Sequence, residues 1–166
     1  DTPDTARRRD ALEFAAAFAN SLGEDLSALI GSQARLDTPE ISIIDGATLA
    51  ASSAPVTHAR CRMRDGGEAV PHLLLPLDAA VTFAGLLMGH TKDRIEELKR
   101  EAIAPETLDA LSEVMNLTAA VLSRSIGEEA GLNSGLQQGD TQPRPNPAAD
   151  GEWLPAGSYR NISYAL

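Results

Sequence analysis

Apolar residues recur every three or four positions through Leu12, Ala15, Ala19, Leu22, Leu26 and Ile30, the spacing of one helical face. This predicts a long first helix from about Thr5 to Ile30, with Gly31 placed to end it. Thr38-Pro39 then breaks the chain, and the β-branched run Glu40-Ile41-Ser42-Ile43-Ile44 predicts a short strand. Asp45-Gly46 is a turn signal, and Ala47 to Ala51 reads equally as a second short strand or a helical turn. From Val56 to Arg64 the pattern changes to a period of two. Thr57, Ala59, Cys61 and Met63 form a largely apolar side, while Val56, His58, Arg60, Arg62 and Arg64 form a largely basic one. Such alternation predicts a strand with one face on a core and one in water. Asp65-Gly66-Gly67 supplies a hairpin turn into a returning strand, about Ala69 to Leu75, in which Pro71 implies an edge position or a bulge.

Pro76 closes that strand, and Asp78 is placed to cap a helix from Ala79 to Met88 that Gly89 ends. Thr91 to Ala102 predicts a charged surface helix with Glu and Lys spaced for side-chain pairs. Pro105 suits the first turn of the main helix, which starts near Glu106 and stops at Gly127 or Gly131. Gln137 to Gly151, with Pro, Gly, Asn and Asp throughout, predicts a loop, and Tyr159 to Leu166 a last strand. Together these elements predict one α+β domain over residues 1–166, with two long helices packed on antiparallel strands. Shifting the first long helix by 96 positions aligns Leu12 with Leu108, Asn20 with Asn116, Leu26 with Leu122, Ser27 with Ser123, Ile30 with Ile126 and Gly31 with Gly127. Composition alone would give fewer identities, so an internal duplication is the economical reading, with pseudo-repeats over about 5–90 and 104–166.

Composition narrows the classes. Hydrophobic residues make up 43% of the 166 positions, enough for a globular core, and only 4% are aromatic. The core must therefore be built from Leu, Ala, Val, Ile and Met. No apolar run approaches the roughly 18 residues that a membrane helix requires, and the first residues, DTPDTARRRDALEF, lack the apolar stretch of a secretory signal. A single cysteine, Cys61, excludes an internal disulfide framework and fits a reducing, cytoplasmic setting. A net charge of −10 argues against a nucleic-acid partner, since the one basic cluster, Arg7-Arg8-Arg9, stands beside Asp4 and Asp10. His58, His72 and His90 are scattered and have no metal-ligand spacing. No nucleophile elbow, phosphate-binding glycine loop or dinucleotide fingerprint occurs. Trp153, Tyr159 and Tyr164 are placed to anchor the last strand, whose open edge could pair with a second copy to form a homodimer.

The chemistry-bearing residues lie on the second long helix. At about 100° per residue, Leu108, Leu111, Met115, Ala119, Leu122 and Ile126 fall on one side and are the predicted core face. Asp109, Glu113, Asn116, Ala120 and Arg124 form a narrow stripe away from it, bordered by Leu117 and Val121. Glu113 and Asn116, three apart, are surface neighbours. Ala120, one turn further on, leaves a shallow spot that lets another protein approach closely. A carboxylate and an amide presented with apolar margins suit docking better than enclosing a small substrate.

The segment LDALSEVMNLTAAVLSRSIG, residues 108–127, resembles the signature helix of the CheC/CheX/FliY phosphatases, in which Glu-x-x-Asn is followed by a small residue four positions after the Asn. LLLPLDAAVTFAGLLMG, residues 73–89, is similar to the strand-then-helix element that precedes this signature in the CheC and FliY branches. The resemblance covers roughly residues 8 to 131 and implies a CheC-like, internally duplicated fold. It also implies a function: removal of phosphate from the phospho-aspartate of CheY-like receiver domains. By that resemblance Asn116 orients the attacking water and Glu113 pairs with a receiver lysine, and the other residues of the stripe, Asp109, Ala120 and Arg124, are expected to border the docking surface. The Mg²⁺ belongs to the receiver, so the chain needs no cofactor of its own. In the first half Ala17 stands where Glu113 would align and Glu24 where Ala120 would, which leaves Asn20 as the remnant of a degenerate second site. Family members often carry Gly at the position of Ala120. The competing expectation is a non-catalytic receiver-docking or flagellar-switch module on the same scaffold.

Overall fold

The structure is a computed structural model that describes residues 3–52, 54–64, 70–127, 132–133, 135–137 and 139–165. Helix α1 spans Pro3–Ile30 and ends at Gly31, whose φ of 66° lies in the left-handed region that glycine adopts without strain. Its predicted face is largely buried, with Ala15, Ala19, Leu22, Leu26 and Ile30 at 8% exposure or less, but Leu12 is exposed and Phe18 takes its place in the core. Strand β1 (Glu40–Asp45) runs directly into α2 (Gly46–Ser52). The Asp45 carboxylate accepts the Thr48 N–H at 2.9 Å, so it caps a helix and is not the start of a hairpin turn.

Strand β2 (Val56–Arg60) is the centre of a three-stranded antiparallel sheet, flanked by β4 (His72–Pro76) and β6 (Thr141–Arg144). This corrects two expectations. Residues 137–151 are not all loop: Thr141–Arg144 forms an edge strand, where Pro143 is tolerated because an edge can spare a ladder donor. A short 3₁₀ turn over Pro147–Ala149 follows it. Nor is the predicted wet side open along β2: Arg60, Arg62 and Arg64 are exposed as expected, but Val56 and His58 are not. Val56, Thr57, His58 and Ala59 are all buried, because helices cover one side and the Trp153–Leu154 segment with Ala50 of α2 covers the other. The turn read at Asp65-Gly66-Gly67 lies outside the described residues. Beyond β2, the two-residue strand β3 (Arg62–Met63) pairs with β5 (Leu132–Asn133). Strand β1 pairs in antiparallel register with β7 (Ser158–Ser163) as a separate ribbon.

Helix α3 (Leu77–Leu87) packs on β2 and on α5, and Gly85 permits close contact with Ile95 of α4 (Lys92–Leu98). The N-cap of α3 is Pro76 with no side-chain bond, so Asp78 lies in the first turn without capping it. There its charge still faces the positive end of the helix dipole. Thr91 caps α4, which is shorter than the charge pattern predicts, because only Ile95 and Leu98 are buried to hold it. Helix α5 (Pro105–Ile126) has Pro105 at its first turn and stops at Gly127, where φ is 80°. The two long helices lie together: Phe18, Leu22 and Leu26 of α1 cluster with Val114 and Val121 of α5. Ser27 accepts the Ala34 N–H at 2.8 Å, and Ser123 donates to the Leu132 carbonyl at 3.3 Å. Each serine thus holds the chain that leaves its own helix.

Candidate functional site on helix α5

Helix α5 buries more of its circumference than the apolar repeat indicates. Leu111, Met115 and Ala119 are buried as expected, but Leu108, Leu122 and Ile126 are only partly so. Thr107, Ala110, Val114 and Val121 complete the buried side. The core face is therefore rotated toward α1 and α3. The physical reason is that Ala110 meets Ala80 and Ala84 of α3 while Val114 and Val121 meet Phe18, Leu22 and Leu26 of α1, so two helices cover residues that the apolar repeat leaves beside the core face.

What stays open is a strip between two flanks. On one flank, Val121 and Leu117 pack toward α1, and Arg124 pairs with Asp25 of α1 at 2.5 Å. On the other, the chain from β5 returns along α5. Its Leu132 is buried against Ala119 and Cys61, its Leu136 packs beside them, and Ser123 bonds to the Leu132 carbonyl. Asp109 and Glu113 are exposed between these flanks, Ala120 is half-buried, and Arg124 is exposed although paired. Asn116 sits at the edge of the second flank, half-buried, and its Oδ1 accepts the backbone N–H of Leu136 at 3.1 Å. The first-half counterparts Ala17, Asn20 and Glu24 are all exposed on α1. A shallow groove lined by Asp10, Glu13, Ala17, Ser21, Arg124 and Ser125 runs between the helices and includes neither Glu113 nor Asn116.

The returning segment is itself anchored. Asp140 accepts from Arg62 Nε at 2.8 Å and Nη2 at 2.5 Å, and from the Gln137 N–H at 2.7 Å. The Arg62 guanidinium holds the Asp140 carboxyl below the usual carboxylate range. Neither Leu136 nor Asp140 stands out in sequence, since Leu136 lies just before the predicted loop and Asp140 lies within it, where turn residues leave no apolar period. The only available signal was Thr141-Gln-Pro-Arg, short and broken by proline.

A second polar cluster corrects the reading of the histidines as scattered. His58 of β2 and His72 of β4 lie diagonally across the strand pair with Nε2 and Nδ1 2.9 Å apart. Trp153 tilts over His58 with ring centroids 5.0 Å apart, Tyr159 meets His72 edge-on, and the Arg144 guanidinium lies 4.9 Å from the Trp153 ring. Burial above all, then the neighbouring His72, Arg144 and Arg60, pushes the His58 imidazole down to about 3. Two neutral rings in this geometry must be complementary tautomers, one donating and one accepting. Among the described residues, no three His, Cys, Asp or Glu side chains converge as metal ligands.

A mixed fold in which two long helices share a core with antiparallel strands is the CheC/FliY-like α+β architecture. The structure superposes on the X-ray crystal structure of Thermotoga maritima FliY with a TM-score of 0.65, over 99% of this chain and 92% of that one. Identity is 17%, so the match establishes a common fold. No protein-family profile and no curated protein matches the sequence. Among the described residues no helix is long and apolar enough to cross a membrane.

Proposed function

We propose that this chain is a cytoplasmic phosphatase of phosphorylated, CheY-like receiver domains, acting through Glu113 and Asn116. The observation that carries this reading is the strip of α5 on which Glu113 is exposed and Asn116 half-buried at the edge, on a FliY-type fold and outside the groove. A receiver's aspartyl phosphate sits in a recess of its own domain, so a catalyst must bring its groups on a projecting surface. In the hydrolysis the water oxygen bonds to phosphorus while the acyl-phosphate P–O bond breaks. One water proton passes to a phosphate oxygen, which leaves the aspartate carboxylate and inorganic phosphate. Such transfer needs positioning and charge stabilisation and little covalent chemistry, which suits an amide. The Mg²⁺ would be the receiver's, and Glu113 would pair with a receiver lysine.

A second reading, a receiver-docking module without turnover, is favoured by one contact: the Asn116 oxygen already accepts the Leu136 N–H. Phosphate release from a phosphorylated receiver separates the two. Asn116→Ala should reduce accelerated release by roughly 10²-fold, as loss of one transition-state group does. Glu113→Ala should raise KM more than it lowers kcat, because docking contacts act in ground and transition states alike. Wild type, Asn116→Ala and Glu113→Ala releasing phosphate at one common rate would remove the enzyme. Binding without acceleration would leave the docking module.

A further inference from the structure

We infer that the backbone N–H of Leu136 is a positioning group for Asn116, turning the carboxamide so that its Nδ2 hydrogens are the end offered to a partner. This rests on the phosphatase reading and specifies how its amide works. A backbone N–H can only donate, so the atom of Asn116 that faces it must be the oxygen. The contact is 3.1 Å, within the ordinary range for an N–H···O bond. With Oδ1 held toward the flank, Nδ2 is directed away from it, and Asn116 donates no hydrogen bond from Nδ2 among the described residues.

The segment that carries Leu136 is anchored on both sides of it. Its side chain packs against the buried Cys61, Ala119 and Leu132 cluster. One residue on, the Gln137 N–H is held by Asp140, which is itself gripped by two nitrogens of Arg62. The segment lies on the Ala119 and Ser123 side of α5. Glu113 lies around the helix on the far side of Asn116, at about 60° from it by helical geometry, and stays exposed. Contact from one flank with Glu113 left open is the arrangement of a brace, not of a cover. Preorganised donors are effective in phosphoryl transfer because charge spreads over the equatorial phosphoryl oxygens. An Nδ2–H donor fits such an oxygen, or the spare lone pair of the attacking water, and the brace keeps the amide from flipping.

Two measurements test this. Amide hydrogen exchange at Leu136 should accelerate at least tenfold in Asn116→Ala and stay as in wild type in Asn116→Asp, which keeps an acceptor there. Unchanged exchange in Asn116→Ala would show that the bond does not form and would overturn the inference. In phosphate release, Leu136→Pro, which deletes the N–H, should lower kcat about tenfold relative to Leu136→Ala, with KM for the phosphorylated receiver unchanged. A merely structural role would move both constants. Equal rates for the two variants would overturn the brace, and a faster Leu136→Pro would mean that the segment masks the site. If Leu136→Pro does not fold, the exchange contrast decides alone. Should Asn116→Ala and Glu113→Ala turn over like wild type, the phosphatase reading falls and takes the positioning role with it, whatever the exchange data show.

Discussion

His58 stays neutral between His72 and Trp153, and this makes the fold sensitive to acid. Its folded-state value is depressed to about 3, whereas an unfolded histidine titrates near 6.5. Between those values the unfolded chain binds a proton that the folded chain does not, so stability is fully present above about 6.5 and declines as pH falls toward 3. One group contributes a slope of at most about 1.4 kcal/mol per pH unit. Urea midpoints taken from pH 7.5 to pH 4 should fall more steeply for wild type than for His58→Leu, and parallel curves would show that the pair is not held neutral. Sequence shows both histidines and the period-two alternation. It does not show that Trp153, almost a hundred residues away, closes over that face. The same limit applies at Asn116, whose place on the open stripe is legible from helical spacing, while its bond to Leu136 depends on a loop with no period to read.

At the scale of elements, the contact of α3 with α4 depends on a missing side chain. A Cβ at Gly85 would stand 2.5 Å from Ile95 Cγ1, well inside van der Waals contact. Gly85→Ala gains up to about 1 kcal/mol of helix propensity but forces the packing apart, which costs typically 1–3 kcal/mol. With the full propensity gain, the expected net result is a loss of up to about 2 kcal/mol in chemical denaturation, recovered in part by adding Ile95→Ala. A stabilised Gly85→Ala would mean that α4 is not seated as described. The helices were legible because their apolar spacing and terminal glycines agree. Strand β6 was not, because Pro143 and its neighbours carry turn chemistry that the pairing with β2 overrides. Helix α2 was ambiguous for a related reason: Asp45 serves both a turn and a cap, and only the Thr48 N–H decides between them.

For the molecule as a whole, strands β6 and β7 follow the second long helix yet pair with β2 and β1, which follow the first. Val56 meets Arg144, and Glu40 meets Ser163. Any two-fold ancestry has therefore been knitted into one cooperative object, and neither half can close its own sheets. Polypeptides 1–127 and 128–166 made separately should each fail to show a sharp thermal transition, while mixing them should restore one, read by circular dichroism. The central strand would otherwise be left with an unpaired rim, an invitation to self-assembly. Nascent chains would carry that hazard until Thr141–Ser163 has left the ribosome, so variants that slow synthesis of this segment should aggregate even when the folded protein is stable.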